Sequence, residues 1–508
     1  AGQFHLTGGW IAPSITADTY DLADARGTLD VTGERALVHI ESAQYGGGTI
    51  TGDYRLAQYG EPYPMSIDLR YNGVSIDQLF TDWEMEGTGL RGAATGQLTY
   101  NWNKDALLEG SGTGTARLSR NAVAFSEARY PIPLSGSIPF SLNNGVITFR
   151  DADLQTPASR IAVSGTLGIE GLVADLALRV RSSNFGELDR LAYNLARAAD
   201  QTDFELLGLG GSGAITGTVR GPIQKPDVVA RVDGRGVQFN EVLLGNAAIA
   251  LRYDGDSSTL TFDPAAFTDG SARLVLNGTI AFPETEEGPR FNLQAQAENY
   301  PVDRAIDAVE LEFDVGGGLA TGSLSVTGTP ESGTVNFADL LIRRDGDSQL
   351  RLNGLVAWLP GEGNVRFDLD IAAQSFPVAD LLAFLDLATV PVTGDLTDTL
   401  HIEGPRSELE GAGSVIVRGG TIAGERLDIA TADIVFDQGR MRATAVDIRG
   451  PAGPITGEAE YEFESEQFTY TIETAGIDLA QVAALEGIRD LFGGRVAITS
   501  TGAGTLED

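Results

Sequence analysis

Residues 353–382 read Asn353-Gly354-Leu355-Val356-Ala357-Trp358-Leu359-Pro360-Gly361-Glu362-Gly363-Asn364-Val365-Arg366-Phe367-Asp368-Leu369-Asp370-Ile371-Ala372-Ala373-Gln374-Ser375-Phe376-Pro377-Val378-Ala379-Asp380-Leu381-Leu382. Three signals in this stretch decide the fold. A small polar residue followed by Gly354 opens a strand. Val365, Phe367, Leu369 and Ile371 then alternate with Arg366, Asp368 and Asp370, the period-two pattern of a strand with one dry face. Finally Pro377 to Leu382 carries apolar residues three and four apart, which predicts a short helix with Pro377 at its first position.

The same order of signals recurs along the chain. The Gly signature stands at Thr51-Gly52, Ser164-Gly165, Asn277-Gly278, Asn353-Gly354 and Thr456-Gly457. Alternating strands follow at Met65/Ile67/Leu69/Tyr71, at Leu172/Ala174/Leu176/Leu178/Val180, at Phe291/Leu293/Ala295/Ala297, at Val365 to Ile371 and at Phe468/Tyr470/Ile472. Short helical segments come next, at 74–79, 185–191, 301–306, 377–382 and 477–482. Gly-spaced strands then restart the sheet, as in Gly213-Ala214-Ile215-Thr216-Gly217. The signature recurs at intervals of roughly 75 to 115 residues, the short interval lying between the third and fourth copies. Independent turns would not keep such step.

This periodicity predicts an all-β chain with a few short helices, built as an elongated, repetitive antiparallel sheet. The units are 1–86 (partial), 87–200, 201–310, 311–386 (short), 387–490 and the start of another in 491–508. Turn signals at Asn143-Asn144-Gly145, Asp254-Gly255-Asp256, Asp345-Gly346-Asp347 and Asp437-Gln438-Gly439 fit hairpins between neighbouring strands. One apolar face needs a cover, and one short helix per unit is too little. The sheet is therefore expected to fold toward itself as an open, taco-like groove with an apolar inner face. The alternation alone is what any filled β-sandwich or solenoid core shows, and by itself it favours that reading.

Composition narrows the function. Lys+Arg number 35 against 71 Asp+Glu, a net charge of −36, which argues against nucleic acid or an anionic membrane surface as the main partner. Cysteine is absent, excluding disulfides and thiol chemistry. No apolar run reaches the roughly 18 residues of a transmembrane helix; with Ala1 first and a strand-like Gly502-Ala503-Gly504 last, the chain reads as an excerpt whose membrane anchor lies elsewhere.

No catalytic pattern emerges, and no cofactor and no metal site is expected. His5, His39 and His401 are far apart and read as strand-facing surface residues. No Gly-x-Ser-x-Gly stands at a strand-to-helix junction. Asp151/Asp153 and Asp368/Asp370 share the polar face of alternating strands and read as outer wall. The segment from Asp189 to Ala199 reads as a capping helix.

At Gly211-Ser212-Gly213-Ala214-Ile215-Thr216-Gly217-Thr218-Val219-Arg220-Gly221-Pro222-Ile223-Gln224-Lys225-Pro226-Asp227-Val228, the rhythm of Gly-spaced strand, Gly-Pro, short gap, Pro and new strand resembles the repeat of the TamB branch of the AsmA-like superfamily. Gly328-Thr329-Pro330 and Gly404-Pro405-Arg406 are partial versions. The resemblance implies a periplasmic protein anchored in the inner membrane and conducting phospholipids toward the outer membrane through a greasy groove. It also implies an outer-membrane-protein assembly barrel as partner. On that reading acyl chains pass over Met65, Ile67, Leu69, Leu176, Leu178, Leu293, Val365, Phe367, Leu369, Ile371, Phe468 and Ile472. Two rivals remain: a structural or adhesive surface protein of stacked β-repeats with filled cores, and a β-helical polysaccharide-active enzyme, for which coils of constant length and a carboxylate cluster are missing.

Overall fold

The computed structural model describes residues 4–17, 20–83, 87–120, 127, 129–198, 204–283, 288–308, 317–361, 364–384, 391–405, 408–463, 465–483, 485 and 493–505. The chain is mostly β: 29 strands are assigned to an antiparallel sheet that does not close into a barrel, with a few short helices. It divides into two compact units, 1–260 and 261–508. The sequence-derived repeat boundaries at 200/201, 310/311, 386/387 and 490/491 lie outside the described residues, and 86/87 lies at their edge.

In the first unit fourteen strands, from His5–Ala17 to Val242–Asp254, pair antiparallel in chain order, each with the next. Leu90–Arg91 and Ile132–Pro133 form a small parallel pair beside this meander. Among the described residues two α-helices interrupt it, α1 (Ile76–Asp82) and α2 (Phe185–Ala198). Acidic residues in their first turns, Asp77 and Glu187, oppose the helix dipole favourably, and Asn184 Oδ1 accepts from the Gly186 N–H at 2.9 Å to cap α2. Six sheet strands separate α1 from α2. Each strand reverses direction, so an even number returns the chain to the same end of the sheet.

In the second unit thirteen strands, from Ala272–Ala281 to Arg495–Thr505, continue the same pattern. Here α3 (Val302–Ala308), α4 (Val378–Phe384) and a 3-10 turn (Leu479–Gln481) occupy the helical positions. Four strands separate α3 from α4, and six long strands separate α4 from the 3-10 turn. The short repeat read in the sequence is thus a repeat two strands short. Pro301 and Pro377 close their strands one residue before the helix rather than opening it.

The repeat has a physical signature at each Gly of the series. Gly52, Gly165, Gly278, Gly354 and Gly457 pair in register with Leu69, Leu176, Leu293, Leu369 and Ile472 of the following strand. A Cβ at any of the five would lie 2.0 or 2.1 Å from a backbone carbonyl oxygen, that of Asp68, Asp175, Asn292, Asp368 or Thr471 respectively. Only glycine fits there. Beside four of these glycines the preceding strand carries one extra residue, between Ile40 and Ala43, Phe149 and Ala152, Phe337 and Leu340, and Ala443 and Val446. Such bulges sharpen local twist and bend the sheet.

Candidate functional site

Register builds the candidate site. Following cross-strand partners through the first unit gives one row: Trp10, Gly27, Ile40, Gly52, Leu69, Leu98, Gly114, Phe140, Phe149, Gly165, Leu176, Val219, Val228 and Tyr253. Fourteen successive strands place an apolar residue or glycine there. The neighbouring row, one residue away and on the opposite face, runs Thr28, His39, Asp53, Asp68, Thr99, Thr113, Ser141, Thr148, Thr166, Asp175, Arg220 and Asp227. Every one of these is polar. Since a slip of one residue would exchange the faces, the bulges must be accommodated without losing parity, and they are.

None of the ten side chains in the apolar row of the first unit is buried; all remain partly exposed. Burial lies instead near the helices: Ile76, Ala94, Leu118 and Leu134 form a small core at α1, and Phe185, Tyr193 and Ala196 of α2 are buried. Tyr45 and Gln78 fix the end of α1 through hydrogen bonds to Asp82, and burial together with Asp82 pushes the Tyr45 hydroxyl up from its ordinary pKa. Buried polar groups hold α2. Glu187 accepts from the Thr156 hydroxyl, the Ala158 N–H at 2.9 Å and the Ser159 hydroxyl at 2.8 Å, and Asp189 accepts from the N–H groups of Leu207 and Leu209.

The second unit has its own row: Leu276, Ala295, Leu324, Phe337, Gly354, Leu369, Ile402, Gly411, Phe436, Met441, Tyr461, Phe468 and Gly504. Its ends are partly exposed but its middle is closed: Leu369 and Ile402 are 0 % exposed. They belong to one packed core that runs from Leu340 to Phe436 and includes Val378 and Leu381 of α4.

The residues expected to line a groove therefore fall into two groups. Met65, Ile67, Leu69, Leu176, Leu178, Leu293, Val365, Phe468 and Ile472 lie on partly exposed stretches. Phe367, Leu369 and Ile371 pack against other side chains in the closed core. Alternation assigned all twelve to one kind of face; whether that face is covered depends on side-chain size in neighbouring strands, which alternation within a strand does not carry.

One residue breaks the apolar face. On Val392–Pro405, Leu396, Asp398, Leu400 and Ile402 share the inner parity, and Asp398 pairs in register with Ala373 and Val415. It is 6 % exposed, and its Oδ1 has no hydrogen-bond partner. Burial pushes its carboxyl up to about 6, only partly opposed by the Thr399 N–H. The alternation Leu396-Thr397-Asp398-Thr399-Leu400 holds the signal that would have found it.

The polar face carries ordinary surface chemistry. All three histidines bond an aspartate of an adjacent strand, His5 to Asp30, His39 to Asp53 and His401 to Asp370, at 2.8, 2.8 and 2.9 Å. Among the described residues no group of three or more His, Asp or Glu side chains is placed to hold a metal ion, and no helix is long and apolar enough to cross a membrane. Comparison with protein-family models, with curated proteins and with solved structures finds no match.

Proposed function

We propose that the chain is a non-enzymatic conductor of phospholipid acyl chains, with the partly exposed apolar row as the path. The observation that supports this most directly is the row from Trp10 to Tyr253, apolar across fourteen strands and buried at none of its side chains. At about 4.8 Å per strand such a row extends for about 60 Å along the sheet. An acyl chain of about sixteen carbons in water forfeits roughly 12 kcal/mol, and an uninterrupted apolar surface removes that penalty at every step along it. A series of separate pockets would restore it between them. The resemblance to TamB-like proteins adds the setting: the periplasm, an inner-membrane anchor outside this chain, delivery toward the outer membrane, and an outer-membrane assembly barrel as partner.

A second reading, a structural or adhesive β-repeat protein, draws on the closed core between Leu340 and Phe436. Mass spectrometry of lipids that co-purify with the chain separates the two. Phospholipid on the wild type, and its loss in a folded Leu176→Asp, Leu178→Asp variant, is the outcome expected of a conduit. A folded wild type free of lipid would refute it in favour of the structural reading.

A further inference from the structure

On the polar face of the first unit, where α2 begins, the sheet forms a basin of about 1180 Å³ whose rim carries Arg120, Arg160, Arg181 and Arg235. One carboxylate, Asp233, lines it with them. In a chain whose acidic residues number 71 against 35 basic ones, four arginines around one depression are not the background composition.

Their arrangement leaves part of the positive charge unpaired. Register sets Arg160 directly opposite Arg181 on the adjacent strand, and like charges in that position destabilise a sheet. Arg160 is neutralised by a two-pronged contact to Asp153, at 3.0 and 2.6 Å. Arg120 is tethered by donation to the Thr156 carbonyl at 3.2 Å. Arg181 and Arg235 are exposed and make no hydrogen bond or ion pair among the described residues. The floor between them is kept low by the small side chains of Ser212 and Ala214. Two free guanidinium forks over a shallow floor suit a tetrahedral oxyanion, which each fork can grip with two parallel N–H donors.

From this geometry we infer that the basin binds a phosphate-bearing anion, on the face opposite the apolar row and independently of what that row carries. Arg181 and Arg235 make the direct contacts, while Arg120 adds positive charge at the rim.

The test uses the whole chain and two probes: soluble pyrophosphate, followed by calorimetric titration, and phosphatidylglycerol vesicles compared with pure phosphatidylcholine vesicles, followed by flotation. The variant is Arg181→Gln with Arg235→Gln, both exposed; the control is Arg220→Gln, which removes the Asp175 partner outside the basin. The inference expects the wild type to bind at least one phosphate probe, the double variant to lose tenfold or more in affinity, and the control to stay within twofold. Binding of pyrophosphate alone assigns a soluble phosphate compound; binding of phosphatidylglycerol vesicles that depends on the same arginines assigns a lipid head group. Failure of the wild type to bind either probe, or equal binding by wild type and double variant, overturns it.

Discussion

Replacing Gly354 by alanine tests the physical basis of the repeat. Gly354 has φ +110°, and a Cβ there would lie 2.0 Å from the Asp368 carbonyl oxygen and 3.0 Å from its carbon. An ordinary carbon–oxygen contact is more than 1 Å longer, so the strands Gln349–Trp358 and Val365–Pro377 must separate locally. A non-glycine residue at such a φ costs about 1–3 kcal/mol. Loosening about two ladder hydrogen bonds adds about 1–3 kcal/mol, and the stiffer unfolded chain returns about 0.4–1 kcal/mol. The net expectation is a loss of about 1–5 kcal/mol, with a midpoint of about 3 kcal/mol. Gly346 is the control: its φ is +71° but nothing lies within 4 Å of a Cβ, so Gly346→Ala is expected to cost about 1 kcal/mol. Urea unfolding, with native-state hydrogen exchange of the amides on these two strands, measures both. Gly354→Ala no more costly than Gly346→Ala would refute the claim that close backbone approach, rather than turn conformation, fixes glycine in the repeat.

Three further outcomes follow from the same coordinates. Asp398→Asn is expected to stabilise the chain by about 2–3 kcal/mol at pH 7.5, because the folded carboxyl titrates near 6 rather than 3.8. A raised folded pKa means the wild type keeps its full stability below about pH 3.8 and loses it as pH rises through about 6; a gain of equal size at pH 4 and pH 7.5 in urea titrations would count against this. Leu369→Ala, at a site 0 % exposed, is expected to cost about 3–5 kcal/mol, whereas Leu176→Ala on the partly exposed row costs about 1–2 kcal/mol; equal losses in thermal unfolding would mean that the two stretches are equally packed. Glu187→Ala leaves the Thr156, Ala158 and Ser159 donors without their acceptor, costing about 2–4 kcal/mol, and is expected to expose α2 to limited proteolysis at sites protected in the wild type.

Much of the architecture is legible in the sequence because each decisive feature is local. Strand alternation is written in consecutive residues, and the five glycines are marked because no other residue tolerates the approach of the next strand. All five helical positions are also readable: α1, α2, α3, α4 and the 3-10 turn at Leu479–Gln481 overlap the predicted segments. The hairpin at Asn144-Gly145, where φ is +48° and +70°, is the turn that an Asn-Gly pair favours. What is not local is less legible. The closed core around Leu369 and the arginine basin both depend on which residues neighbouring strands bring alongside. The like-charge pair Arg160 and Arg181 is invisible until register is known. Asp398 was readable by parity, but an acidic residue between two threonines draws the eye toward the polar face.

The short repeat bears on one half of the closed core, from Leu340 to Phe376; the other half, from Leu396 to Phe436, lies on strands that follow α4. Between α1 and α2 one helix serves six strands, a width of about 29 Å at about 4.8 Å each, while between α3 and α4 it serves four, about 19 Å. A helix with its side chains is about 10 Å across, so it covers about a third of the first width and about half of the second. Consistently, Val378 and Leu381 of α4 enter the closed core and Val302 of α3 packs against it. Side-chain size acts in the same direction. The row beside Leu369 runs Leu352, Ile371, Leu400 and Gly413, whereas the corresponding row beside Leu176 runs Val163, Leu178, Gly217 and Ala230. Smaller side chains leave more of the face open at equal curvature. Fewer strands per helix, and Leu400 where the first unit has Gly217, both favour closure. Conversely, Leu400→Ala and Ile371→Ala together should reopen the stretch without altering its register.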